Sequence, residues 1–498
     1  MANHLYDHLI APHARNDAPF LVRDGAEDIS YAAFVRRSAQ MAHRLTDAGL
    51  RPGDRIVVQA PKTVEMVMLY AATVQAGGIF LPLNTAYKRD EVSYFVGDAT
   101  PRLIVCDGTS EAQMAEIANG ATVLTLNPDG SGTLSDDLAA LPTEFATVAR
   151  GPDDLAALLY TSGTTGRSKG AMLSHDNLLS NTQALTDLWQ ITDNDRLAHA
   201  LPIFHTHGLF VALNTCMLAG ASVDFMASFD LDQMMAALPR ATMLMGVPTF
   251  YTRLLSDARL NRELVANMRL FISGSAPLLA ETHTAFTART GHAILERYGM
   301  TETNMNTSNP YAGERRPGTV GHPLPGVELR LTDAQTGVTV PEGAVGMIEV
   351  RGPNVFKGYW QLPDKTAAEL RDNGFFITGD LGQIDADGYV SIVGREKDLI
   401  ITGGYNVYPK EIEDVLNDIP GVLESAVVGI PDADFGEAII AVVVPENGHR
   451  IAPDDLSGVV ADKLARFKHP RRYEFAEALP RNTMGKVQKN ALRESCVR

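Results

Sequence analysis

Residues 155–169 read Leu-Ala-Ala-Leu-Leu-Tyr-Thr-Ser-Gly-Thr-Thr-Gly-Arg-Ser-Lys. An apolar run that suits a buried strand ends in a loop of hydroxyls and glycines, with a lysine behind it. Gly163 and Gly166 let the backbone turn tightly and approach a ligand with its N–H groups free. Thr161, Ser162, Thr164 and Thr165 add hydroxyl donors, and Lys169 adds a point charge. This inventory suits a polyphosphate, although a solvated turn has the same composition. It is not a Walker loop, because the spacing Gly-x-x-x-x-Gly-Lys-Ser/Thr is absent. A second short apolar run, Ala171-Met172-Leu173, follows instead, and then a helix that Ser174 can cap.

The strand-and-loop step sits inside an alternating pattern. Residues 55–60 read as a strand, and Pro61 opens a helix with Val64, Val67, Met68, Ala71 and Val74 at helical spacing. Gly77 and Gly78 stop that helix. Strands at 79–83 and 102–107 bracket a helix at 89–96, and the pattern recurs at 241–246, from about Pro248, and at 270–273. Strand-helix alternation predicts an α/β fold of βαβ-type sheets. Residues 127–132 form a turn or hairpin tip. Beyond Gly394 the texture changes to a helix at 410–417, strands at 424–430 and 438–445, and an amphipathic helix at 453–467. The expected organisation is a large N-terminal domain over 1–394, a polar linker at 395–398, and a compact α+β domain over 399–498.

With 498 residues, two or more domains are expected. The net charge of −17 argues against nucleic acid or an anionic membrane as partner, so an anionic ligand needs a local cluster of positive groups. Cys106, Cys216 and Cys496 are too widely spaced for a disulfide framework or a metal knuckle. With no basic, apolar leader at the N-terminus, a cytoplasmic protein is expected. No apolar run is long enough to span a bilayer.

Four further segments carry chemistry. Glu302, after the turn in Glu296-Arg-Tyr-Gly-Met-Thr-Glu302, suits a hard cation such as Mg²⁺ on phosphates, or is a surface glutamate. Asp380, in Thr378-Gly379-Asp380, could accept from a ribose diol or cap a turn. Arg395 could reach the ribose or a phosphate, and Lys486 stands behind Gly485 near the C-terminus.

In that order, these motifs resemble those of the adenylate-forming enzymes: acyl-CoA synthetases, peptide-synthetase adenylation domains and beetle luciferase. The resemblance spans essentially the whole chain, and is nearest to the malonyl-CoA synthetases. It implies that a carboxylate attacks the α-phosphorus of ATP, giving an acyl-adenylate and pyrophosphate, and that the thiol of coenzyme A then displaces AMP. It implies ATP, Mg²⁺ and coenzyme A as cofactors. By the same resemblance Thr161, Ser162, Gly163, Thr164, Thr165 and Lys169 line the triphosphate, and Glu302 sits at the metal. Ser275, Ala276 and Pro277, with Tyr298, Gly299, Met300 and Thr301, border the adenine. Asp380 and Arg395 match the ribose pair. Lys486 matches the lysine bridging carboxylate and α-phosphate, and Lys397 the hinge position. After rotation of the small domain, Gly403 and Gly404 would face the site and leave room for the pantetheine arm, unless they form a plain turn.

The acid is argued from Arg297, where most relatives carry a small or neutral residue. A buried guanidinium is costly unless a ligand supplies an anion, which a second carboxylate does bidentately. With His207 and Ser275 as further donors, malonate is the expected substrate, and methylmalonate a possible one. An internal ion pair of Arg297 with Glu296 or Glu302 would leave a ligase for a monocarboxylic fatty or aromatic acid. A stand-alone enzyme loading a carrier protein is the third reading. His205-x-His207 lacks a third ligand at zinc spacing. Arg466, Lys468, Arg471 and Arg472 are guessed for the coenzyme A nucleotide, or form a solvated face. The resemblance also suggests an acetyltransferase and deacetylase acting on Lys486. The residues fix no oligomeric state.

Overall fold

The computed structural model describes residues 2–161, 168–402, 405–432, 435–482 and 485–497. Three sheets make up the larger part. A six-stranded sheet runs in the order 122–125, 103–106, Arg55–Gln59, Ile79–Pro82, Leu155–Thr161, Lys169–Ser174, parallel except for its last pair. A nine-stranded sheet has a parallel centre that includes Met243–Gly246, Leu270–Ser273 and Leu295–Met300. A four-stranded antiparallel sheet ends with Phe376–Ile384 beside Val390–Arg395. The α/β class and the strand-helix alternation are as the sequence implies.

Helix Val64–Gln75 is buried at every residue but Glu65, as expected of a helix that is apolar all round. It begins at Val64 and not at Pro61, because Thr63 takes the cap and its side chain accepts from the N–H of Met66. Ser174 caps helix His175–Leu188 as expected, and the exchange is reciprocal: Ser174 Oγ accepts from the Asn177 N–H at 3.1 Å, and Asn177 Oδ1 from the Ser174 N–H at 2.8 Å. Asn177 also donates to the carbonyls of Pro353 and Val355, so this cap ties the helix to the segment behind Glu302. Ser174→Ala is expected to cost about 1 kcal/mol, read as a lower midpoint in urea unfolding.

The C-terminal part is a five-stranded sheet built on the long hairpin Val422–Asp432 and Gly436–Pro445, with a hydrophobic cluster on each face. Two expectations are corrected here. Helix Pro453–Lys463 stops short of 467, because Leu464 turns extended to pack on the core and a 3₁₀ turn, Arg466–Lys468, follows. The segment 394–398 is not all linker. Gly394 and Arg395 pair with Leu381 and Asp380 in the four-stranded sheet, which leaves the turn Glu396–Asp398 before strand Ile400–Thr402 of the C-terminal sheet. Among the described residues no helix is long and apolar enough to cross a membrane.

Candidate active site

Strands Leu155–Thr161 and Lys169–Ser174 pair with Thr161 opposite Lys169, so the glycine-rich segment joins two adjacent strand ends. Ser162, Gly163, Thr164 and Thr165 lie outside the described residues, as do Gly403 and Gly404. At the loop's base the buried Thr161 hydroxyl has no partner among the described residues. Lys169 Nζ sits 4.1 Å above the Tyr359 ring and 3.4 Å from the Glu369 carboxylate. Glu302 is buried beside them, with Oε1 3.0 Å from the Tyr359 hydroxyl. That hydroxyl is also 2.6 Å from Glu369, and its single proton cannot serve both carboxylates. Burial holds the Glu302 carboxyl above its ordinary range. A buried carboxylate whose charge is this poorly compensated has the donor chemistry of a hard-cation site.

The second group lies across the four-stranded sheet. Asp380 is an interior strand residue and not a turn cap. Its Oδ2 accepts from the Tyr298 hydroxyl at 2.6 Å, and its Oδ1 faces Arg395 Nε at 2.9 Å. Strand register sets the second contact, since Asp380 and Arg395 are direct cross-strand partners. Lys486 comes to this group from the C-terminal part, where Gly485 (φ +75°) packs beside the side chain of Thr249. Loss of hydration and then the Arg395 charge pull the Lys486 ammonium below its usual range, while Asp380, Asp398 and Glu302 oppose the shift. Lys397 is drawn down to about 8, by burial and then by Arg395. Arg493 of the last helix donates to Asp398 at 2.6 Å, which fastens that turn to the C-terminal part.

The third group is the expected acyl pocket. Arg297 is 3% exposed, and among the described residues its Nε and Nη2 have no hydrogen-bond partner. Its guanidinium lies on Gly274, where a Cβ would come within 2.4 Å of Cζ, so a larger residue there would displace the guanidinium. Burial pulls the guanidinium down to about 9, which leaves it charged at neutral pH. Glu296 is not its counter-ion: Oε1 accepts from the Leu278 N–H at 3.3 Å and Oε2 is unpartnered. Glu302 is engaged by Tyr359. The internal ion pair weighed from the sequence therefore does not form.

Ser275 follows in the left-handed region (φ +69°), and its Oγ lies 3.2 Å from His207 Nδ1. The buried His207 Nε2 is left without a partner. Burial and then Arg297 hold both His205, down to about 4, and His207 far below the usual imidazole range, so both rings are neutral. An unpaired guanidinium and an unpaired imidazole nitrogen thus sit within electrostatic reach of each other.

Sequence reasoning missed Tyr359 and Glu369, which lie in no motif and join the site only by packing. It also missed the fate of the basic tail. Lys468 pairs with Glu411 at 2.6 Å, Arg471 with Asp432 at 3.4 Å and Arg472 with Glu474 at 2.9 Å, so three of the four guessed cations already have partners.

Burial raises the Glu296 carboxyl from 4.5 to about 7. A carboxyl raised in the folded state stabilises the fold below its unfolded pKa, and that stability is lost as pH rises through the folded value. Glu296→Gln, which keeps the acceptor for Leu278, should therefore match the parent near pH 4.5 and be more stable by on the order of 1–3 kcal/mol at pH 8. Melting curves at the two pH values check this.

Residues 10–360 match the family described as AMP-binding enzyme, and residues 411–486 match its C-terminal domain. The solved structure of ATP-bound MatB from Rhodopseudomonas palustris is 57% identical, with 99% of each chain covered and a TM-score of 0.98. The apo structure of the same protein superposes at 0.88. A malonate–CoA ligase of Arabidopsis thaliana is 35% identical over 482 residues, 90% of this chain and 79% of that one. A feruloyl-CoA synthase of an Amycolatopsis species is 35% identical over 489 residues, 97% and 96% of the two chains. Matched by family over most of its length, and along its whole length by relatives of the same kind, the chain belongs to the AMP-binding enzymes.

Proposed function

We propose that this protein joins malonate to coenzyme A at the expense of ATP, through a malonyl-adenylate, releasing AMP and pyrophosphate. The observation that carries the acid is the buried Arg297 guanidinium with two donors unspent and His207 Nε2 unspent nearby. A monocarboxylic acid would leave that charge buried and unpaired, which costs several kcal/mol, whereas the distal carboxylate of a diacid fills it bidentately. The MatB and malonate–CoA ligase relatives support this reading.

In the first half-reaction, Lys486 brings one acid oxygen and the α-phosphate together, and Arg297, His207 and Ser275 hold the far carboxylate. Negative charge moves onto pyrophosphate, so Lys169 and the hydroxyls of 161–165 act where charge develops. Tyr298 and the segment Ser275-Ala276-Pro277 flank the adenine, with Gly299, Met300 and Thr301 beside it. Asp380 accepts from the ribose hydroxyls, and Arg395 orients Asp380. Glu302, with Thr161, would hold a magnesium ion, which when bound neutralises phosphate charge. In the second half-reaction the C-terminal domain turns about Lys397 and withdraws Lys486. Gly403 and Gly404 then border the pantetheine channel. Acetylation of Lys486 by a cytoplasmic acetyltransferase would erase its charge and block only the first step.

The test is pyrophosphate release with a panel of acids, with and without coenzyme A. Malonate-dependent release with coenzyme A consumption is expected. Better turnover of ferulate or a fatty acid than of malonate would overturn the diacid reading. AMP formation that needs a carrier protein as acceptor would overturn the coenzyme A reading.

A further inference from the structure

Lys62 stands between strand Arg55–Gln59 and the Thr63 cap of the buried helix. Its Nζ lies 2.8 Å from His199 Nδ1 and 3.1 Å from the His199 carbonyl oxygen. The Phe225 ring forms the other wall, 4.7 Å away. His199 is fully buried, and its Nε2 lies 2.9 Å from the carbonyl oxygen of Gly208. A carbonyl can only accept, so Nε2 carries the proton, and in a neutral ring Nδ1 must be an acceptor. Lys62 therefore faces two acceptors. A neutral amine has two N–H donors, and this arrangement uses both while leaving the nitrogen lone pair free. An ammonium would turn its third N–H toward the Phe225 face or the adjoining cavity.

Two further observations agree. Burial pulls the Lys62 amine well below its usual range, with no carboxylate opposing it. The side chain also lines an open cavity of about 370 Å³, whose wall includes Arg23 and Arg240 together with the carboxylates Asp24, Glu65, Asp129 and Asp224, the last of which pairs with Arg240. That volume is within the range of small-molecule sites.

We infer that Lys62 is a second acylable lysine of this protein, taking short acyl groups from coenzyme A thioesters that enter this cavity. The amine attacks the thioester carbonyl, forming the C–N bond as the C–S bond breaks, and the electron pair leaves with the thiolate. The proton lost from nitrogen passes by way of His199 Nδ1 to the thiolate, giving free coenzyme A and an amide. The amide retains one N–H, so one contact to His199 is lost. His199 holds the carbonyl of Gly208, the residue after His207, and Gly208 is packed so closely that a Cβ there would lie 2.0 Å from the Pro202 carbonyl oxygen. Acylation should therefore disturb the turn that carries His207, a consequence that rests on the function proposed above.

The experiment incubates the full-length protein with acetyl-CoA or malonyl-CoA, without ATP or acid, and maps modified peptides by mass spectrometry over time. Turnover is not needed, so failure of the malonate reading would leave this result intact. Lys62 should be acylated at least tenfold faster than the exposed Lys88 and Lys463, and the signal should vanish in Lys62→Arg. Equal rates at all three lysines, or none at Lys62, would overturn the proposal. In the acylated protein the KM for the acid should rise several-fold while that for ATP holds. An unchanged acid KM at full occupancy would overturn the link to His207.

Discussion

Arg297→Ala should lower kcat/KM for malonate by roughly 30- to 5,000-fold, the equivalent of about 2–5 kcal/mol for removing one partner of a desolvated charge pair. The loss should fall mainly on the acid, because Tyr298, Asp380 and Arg395, which we assign to the nucleotide, form their own hydrogen-bonded group. KM for ATP should therefore change little. Stability separates this prediction from simple damage. The parent buries a guanidinium with two unsatisfied nitrogens, so the truncated protein sheds a desolvation cost and should melt no lower than the parent by more than the small cavity requires. Arg297→Lys keeps a charge but loses the planar fork, and should recover only part of the activity. Malonate use by the alanine variant at the parent's rate would remove Arg297 from the acyl pocket.

The chemistry-bearing motifs were legible because each depends on local residue types. The glycine-rich segment behind an apolar run announces itself along the chain, whereas Asp380 reads equally as a turn cap and Arg395 as linker, and only the strand register pairs the two. The cap at Ser174 was legible for the same reason, whereas the start of helix Val64–Gln75 was misplaced, because the Thr63 side chain competes locally with Pro61. The interior strand Leu270–Ser273 falls at the bounds read from the sequence and its neighbour Met243–Gly246 within two residues, since a continuous apolar run between polar ends leaves little choice. What could not be read is what packing alone decides. Nothing in the sequence brings Tyr359 and Glu369 to Glu302, across 57 and 67 positions of chain, or sets Lys62 against His199. Whether Arg297 had a counter-ion was equally undecidable from its neighbours. Glu296 is adjacent in sequence, but successive strand residues point to opposite faces.

Lys486→Ala should reduce adenylation by about a hundred- to a thousand-fold, as for removal of one preorganised donor at a developing charge. Coenzyme A should still consume chemically synthesised malonyl-AMP at close to the parent's rate. The division follows from where the lysine is and what carries it. In this structure, whose superposition on the MatB relative is closer to the ATP-bound form than to the apo form, Lys486 stands among Arg395, Asp380 and Glu302. Three cations, Lys486, Lys397 and Arg395, crowd that point, and the pKa values of the two lysines are lowered partly by Arg395. A triphosphate relieves this repulsion, and departure of pyrophosphate restores it. In the mechanism we propose, the same electrostatics would hold the C-terminal domain in place for the first step and release it for the second. Adenylation should also fail earlier on the alkaline side than an ordinary lysine would allow, because the lowered Lys486 loses its proton sooner as pH rises, while the thioester step should not share that limb. Single-turnover assays of the two half-reactions across pH decide the matter: equal loss of both steps in Lys486→Ala would contradict a lysine that serves only one of them.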